Sequence, residues 1–338
     1  MKQKPEESIR IYAAGLFLKQ LDVISSEIPG VRKQRDIEAV HRMRVSTRRM
    51  RAVLDVFQDC LPAKRGVIWE KEIHGLTSAL GAARDTDVQI DSISHILKNI
   101  PDPQFGPGIR RLLLRLKQKR NKIQDRLLKR LTAYEHSGVA EEMRAAFEGA
   151  AARSSDIYLY TPALYQRSFD TIHSAFETFS SYEESIQDPA NVADLHAMRI
   201  AGKNLRYTME CFSSIYANEL KNTLAIMRTA QELLGSIHDC DVWIQFLPGF
   251  VEEEHQKTLA YFGRDRYSNH FIPGVNYLLS LKQGNREEQY KEFIEKWYLW
   301  KTEKVWENLF QVLQVPFFNK KENIPLSQNN PVQSGGNT

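Results

Sequence analysis

The sequence predicts an all-α fold, and three observations carry that reading. Apolar residues recur at the 3.6-residue spacing of a buried helix face through most of the chain, while alternating strand-like runs bounded by turn residues are hard to find. Glycine (17) and proline (13) are sparse for 338 residues, which favours long helices over many turns. The chain also repeats itself: HRMRVSTRRMR at 41–51 returns as HAMRIAGKNLR at 196–206, and LGAARDTDV at 80–88 returns as LGSIHDCDV at 234–242. Order is preserved and the offset changes only from 155 to 154, so the pattern reads as one tandem duplication.

The elements follow in order. The early apolar run Ile11 to Leu18, flanked by Arg10 and Lys19, is too short to span a bilayer and is expected to be a core helix. Breaks are expected near Pro62, Pro101 to Gly108, Gly138, Ser154 to Pro162, Asp188-Pro189, Pro248-Gly249 and Pro273-Gly274. LLRLKQ at 113–118 and LLSLKQ at 278–283 form a third, weaker echo. The first repeat is expected over 6–153 and the second over 160–315, followed by a disordered tail over 320–338 that lacks apolar periodicity. Phe293, Trp297, Trp300 and Trp306 are spaced for a helix interior.

Composition narrows the function classes. With 42% hydrophobic and 26% charged residues the chain suits a soluble globular protein, not a membrane resident. Three widely spaced cysteines argue against a disulfide framework and for a reducing, cytoplasmic compartment. The net charge of +4 hides an asymmetry: residues 1–160 carry 29 basic and 20 acidic side chains, residues 161–338 carry 17 and 22. A polyanion-facing surface built chiefly from the first half is expected.

The repeated helix explains how such a surface would form. At about 100° per residue, His41, Arg44, Arg48 and Arg51 share a sector of roughly 80°, with Met43, Met50, Leu54 and Phe57 opposite. His196, Arg199, Lys203 and Arg206 take the same angular places in the second copy, opposite Met198, Leu205, Met209 and Phe212. A face that merely met water would accept any polar residue, whereas here a histidine and three cations recur in register. Arg111, Arg115, Lys119, Lys122, Arg126 and Lys129 form a longer row of about 27 Å, with Leu112, Leu116, Ile123 and Leu127 as its packing side. Like charges at i,i+4 repel, and a repeating anion would relieve that repulsion. Arginine suits phosphate through its paired hydrogen bonds, lysine supplies a mobile charge, and histidine gains charge near a polyanion.

Other constellations point elsewhere. Asp85 and Asp87, with Asp239 and Asp241, invite a metal reading, but Arg84 stands where the second copy has His238, so the aspartates are expected to pair with arginines. The remaining histidines have no matching carboxylate or cysteine pattern. There is no phosphate-cradling glycine loop, Ser/His/Asp elbow or HExxH, so no catalytic residue, cofactor or metal is assigned and a binding protein, not an enzyme, is expected.

The two motif pairs, HRMRVSTRRMRAVLDVF with LHAMRIAGKNLRYTMECF and LGAARDTDV with LLGSIHDCDV, resemble the CHAD family, the conserved histidine alpha-helical domain, over about Glu6 to Val315. That resemblance implies two four-helix bundles related by a pseudo-twofold axis, with long basic helices around a central groove or pore. It also implies binding of inorganic polyphosphate and association with polyphosphate granules or polyphosphate-metabolising enzymes. The motif carries over onto His41, Arg44, Arg48, Arg49, Arg51, His196, Arg199, Lys203 and Arg206, with Arg115, Lys119, Lys122 and Arg126 as an extension. Asn204 stands where the first copy has Arg49, so the two copies are not equivalent. Two rival functions remain: nucleic-acid binding through the same basic stripes, without a reading motif or aromatic platform, and a metal-dependent phosphohydrolase.

Overall fold

The computed structural model describes residues 5–33, 37–155, 160–264 and 268–318, and every regular element among them is helical. In chain order these are α1 (Glu7–Lys33), α2 (Ile37–Val56), α3 (Ala63–Lys98), α4 (Gly106–His136), α5 (Val139–Ala151), α6 (Pro162–Ser180), α7 (Val192–Phe212), α8 (Lys221–Phe262), α9 (Ser268–Thr302) and α10 (Val305–Phe318), joined by short turns. The segment expected to be a disordered tail, 320–338, lies outside the described residues.

Local chemistry accounts for several of the boundaries. Thr161 accepts a hydrogen bond from the Leu164 amide and Pro162 follows at the first helical position, where its missing N–H costs nothing. Gly138 separates α4 from α5 at φ 68°, and Gly263 ends α8 at φ 65°, both in the left-handed region that other residues enter only with strain. Two expected breaks are absent: α8 runs through Pro248 and α9 through Pro273. An interior proline removes one helical hydrogen bond and crowds the preceding turn. Here Leu247 and Phe250 on one helix, and Phe271 and Val275 on the other, are buried on either side of the proline, and that packing keeps the helix going.

Within the first half α1 packs on α2 and α5, α2 on α3, and α3 on α4; within the second, α6 packs on α7 and α10, α7 on α8, and α8 on α9. The halves meet where α1 touches α6, α2 crosses α7 and α4 crosses α9. Each repeated helix turns its apolar face inward: Met43, Met50 and Leu54 on α2 with Phe57 just beyond its end, and Met198, Leu205, Met209 and Phe212 on α7, are all buried in one continuous core. Phe293, Trp297, Trp300 and Trp306 join it. A separate cluster forms where parts of α3, α4, α8 and α9 converge, built on Ile109, Leu112, Trp243, Leu247, Phe271 and Leu278.

At that second junction the backbones touch. A Cβ on Gly108 of α4 would lie 2.0 Å from the Phe271 carbonyl oxygen, and one on Gly274 of α9 would lie 2.1 Å from that of Phe105. No side chain fits at either position. The α2–α7 crossing and the α4–α9 crossing thus tie the halves at two separate places.

Candidate functional site

A cavity of about 1100 Å³ is lined by residues of α2, α3, α7, α8 and α9. Arg44 and Arg48 of α2 and Arg199 and Lys203 of α7 come together in it, because the repeated helices present matching faces where they cross. The glycine of each LG motif lies beside one of these arginines. A Cβ on Gly81 of α3 would stand 3.7 Å from Arg44 Nε, and one on Gly235 of α8 would stand 3.9 Å from Arg199 Nε. Both guanidiniums therefore lie close over bare stretches of the neighbouring helix.

These cations are half-buried and few are neutralised. Arg44 donates to Asp85 at 3.2 Å. Arg48 lies over the Tyr207 ring at 5.1 Å, a cation–π contact that leaves its charge uncancelled. Arg199 Nε is buried without a hydrogen-bond partner. Burial, reinforced by Arg199, Arg48 and Arg44, pushes the Lys203 ammonium down to about 7. Burial also lowers Arg48, with Arg44, Arg199 and Arg206 adding to the effect, and Arg199, where Arg44 adds to it and Asp239 and Asp85 oppose it. Arg84 and Lys282 bring the lining cations to six, against Asp85, Glu232, Asp239 and Glu288 on α3, α8 and α9. Positive charge is thus concentrated at the α2–α7 crossing, and the carboxylates stand on the surrounding helices.

The histidines differ between the halves. His41 lines the cavity, its Nδ1 buried without a partner, and burial followed by Arg84 lowers its pKa. His196 meets His238 of α8 with the two Nδ1 atoms 3.0 Å apart and ring centres at 4.1 Å. Burial, then Arg199, holds His196 below its ordinary value; burial, Arg199 and His196 take His238 down to about 4. Both imidazoles are neutral at pH 7.

The other sequence-assigned residues stand elsewhere. Arg49 and Arg206 both donate to Glu210, at 2.9 and 2.5 Å, and Arg206 also stacks on Tyr207 and bonds Gln231. Arg51 is exposed on α2, away from the cavity lining. Arg115 is fastened with Arg111 to Glu254 of α8, a carboxylate only 1% exposed. Lys119, Lys122 and Arg126 are exposed on α4 and do not line the cavity.

The aspartates of the second motif divide their labour. Asp87 accepts from Arg120 at 2.7 Å and Asp241 accepts from Arg286, so each clamps the next helix, α4 or α9. Asp85 and Asp239 face the cavity. Among the described residues no three His, Cys, Asp or Glu side chains are grouped as a metal ion would need. Sequence reasoning did not assign Arg84, His238 or Lys282 to the site. Their signal was present: Arg84 and His238 occupy the same place in the paired motifs, and Lys282 falls in the LLSLKQ echo.

Comparison with known proteins agrees with this architecture. The family model described as the CHAD domain matches residues 15–248. No curated protein matches the chain. Among solved structures, the crystal structure of the CHAD domain from the plant Ricinus communis is similar at a TM-score of 0.63 and 21% identity, covering 88% of this chain and 93% of that one. PptA from Streptomyces chartreusis is similar at 0.60 and 13% identity, over 85% of this chain and 98% of the other. At these identities the two structures speak to the fold alone. No helix among the described residues is long and apolar enough to cross a membrane.

Proposed function

We propose that this chain, which belongs to the CHAD family, holds inorganic polyphosphate in the cavity between its halves and does not cleave it. The observation that carries the reading is the meeting of Arg44, Arg48, Arg199 and Lys203, from two helices far apart in sequence, around open space with too few acceptors to satisfy them. Burying like charges together costs stability, and a ligand made of repeating anions offsets that cost. Arg44 and Arg199 supply planar forks for phosphate oxygens, Arg48 is steadied by Tyr207, and Lys203 adds a point charge.

A cavity of about 1100 Å³ set among five helices suits a thread of phosphates better than a rigid duplex. Its aromatic contribution is small, with Trp243 the one Phe, Tyr or Trp among the described lining residues, so base stacking has little to work with. Such a holder would serve in the cytoplasm where polyphosphate collects, at granules or beside enzymes that make and degrade it.

The test is titration with long-chain polyphosphate, with phosphate release followed in the same samples. Affinity should fall steeply with salt, since each neutralised phosphate releases counterions. Changing Arg44, Arg48, Arg199 and Lys203 together to alanine should weaken binding at least about 100-fold, the loss of several charge-assisted hydrogen bonds. Unchanged affinity in a folded quadruple variant rules out the site, and displacement by DNA or RNA at equal phosphate concentration rules out the ligand. Phosphate release abolished by His41→Ala would convert the binder into an enzyme.

A further inference from the structure

Lys203 and the His196–His238 pair are short of protons for a reason that a bound anion would remove. Facing the Lys203 ammonium are Arg44 and Arg48 from α2, Arg199 from its own helix and Asp239 from α8, and among the described residues no acceptor hydrogen-bonds it. The rest of the charged lining is His41 on α2, Arg84 and Asp85 on α3, Glu232 and His238 on α8, and Lys282 and Glu288 on α9. The Nδ1–Nδ1 contact of His196 and His238, at 3.0 Å, accommodates a single proton between the nitrogens. One ring donates and the other must accept. The pair can therefore gain one proton, becoming an imidazolium bonded to an imidazole, without moving.

We propose that filling the cavity with a phosphate chain draws protons onto Lys203 and onto the His196–His238 pair, so that the second half of the site binds with net proton uptake and releases its ligand as pH rises. This rests on the anion-binding reading above and adds its regulation. The first half has no equivalent device, because Arg84, permanently charged, stands where His238 stands in the second.

The sign follows from linkage. With Lys203 near 7 in the empty site and carrying a full charge beside phosphate, its pKa rises on binding, so affinity is greatest below about 7 and declines above it. While the bound form stays protonated, the decline amounts to up to about tenfold per pH unit between pH 7 and 9. His238, near 4 when empty, extends the same trend to the acid side.

Calorimetric titration of the full chain with long-chain polyphosphate at pH 8, in two buffers of different ionisation enthalpy, counts the protons directly. About one proton taken up per site is expected. Lys203→Arg, which keeps a charge but has no titrating proton near neutral pH, should flatten the slope of affinity against pH between 7 and 9 and take up close to none. If that variant does not fold, Lys203→Gln should bind more weakly, again without uptake. Tight binding with no proton uptake by the unmodified protein overturns the linkage and leaves the anion site standing. Uptake unchanged in Lys203→Arg overturns the role of Lys203, whereas no binding by the unmodified protein removes the anion site and the linkage together.

Discussion

Arg44 in the first half and Arg199 in the second leave their helices at corresponding turns, lie over corresponding glycines, Gly81 and Gly235, and share the cavity with corresponding aspartates, Asp85 and Asp239. Behind them Asp87 clamps Arg120 as Asp241 clamps Arg286. The halves part company at the residue before the cavity aspartate. There the first half has Arg84, 3.9 Å from Glu38, and the second has His238, hydrogen-bonded to His196. They differ again at Glu210, which ties up Arg49 and Arg206, whereas its counterpart Asp55 is exposed on α2. The arginines and aspartates that face one another in the cavity, and the clamps behind them, are matched between the halves, while the Arg84/His238 position beside them and the Glu210 contact are not.

The largest expected effect tests the matched part. Gly108→Ala and Gly274→Ala each drive a methyl group into a backbone carbonyl that cannot swing aside. Each should cost about 3 kcal/mol or more in urea unfolding, at or beyond the top of the range for overpacking. Near-equal losses are expected, because the contacts are reciprocal. If one alanine were tolerated, the α4–α9 crossing would belong to one half's backbone only.

Next in size is a contact that has no counterpart. Buried Glu254 of α8 accepts from Arg111 and Arg115 of α4 and from Lys257. Burial alone would raise its pKa, but those three hydrogen-bonding cations outweigh it and bring the carboxyl to about 2. A folded-state pKa below the unfolded value gives stability that is complete above about pH 4.5 and lost as pH falls toward 2. The arginines are about one-third exposed, so screening reduces the gain to about 2 kcal/mol. Glu254→Gln should therefore lower stability by about that much at pH 7 and flatten the acid limb between pH 4.5 and 2. An acid limb identical to that of the unmodified protein would mean that the cluster contributes nothing to joining the halves.

The contrast also separates what sequence could and could not reveal. Helix faces were legible, since a residue every 3.6 positions is either buried or not: Met43 and Met50, Met198 and Met209 all lie in the core. Arg44, Arg48, Arg199 and Lys203 were legible as a set because both copies carry them in register. Counter-charges were not. Arg49 finds Glu210 across 161 residues and Arg115 finds Glu254 across 139, and no local pattern announces such meetings. Pro248 and Pro273 read as breaks because local propensity says so, while the packing that overrides it comes from distant helices. His238 was visible beside Arg84 in the aligned motifs, but its hydrogen bond to His196 exists only once α8 lies against α7.

The smallest expected effect concerns Lys119, Lys122 and Arg126, which share a helix face in the sequence just as the cavity cations do. Unlike Arg44 or Arg199 they are exposed and outside the cavity lining, so water and salt already screen them. Changing all three to alanine should weaken polyphosphate binding by no more than about threefold at 0.15 M salt, because salt with a Debye length of about 8 Å screens exposed charges that do not touch the ligand. The salt slope should shrink only slightly, since it drops by about one for every phosphate that a cation no longer neutralises. A tenfold loss, with a slope reduced by two or three, would show that a long chain leaves the cavity and runs along α4. The exposed row would then count as part of the binding surface, and helical spacing alone would have identified both stretches of it.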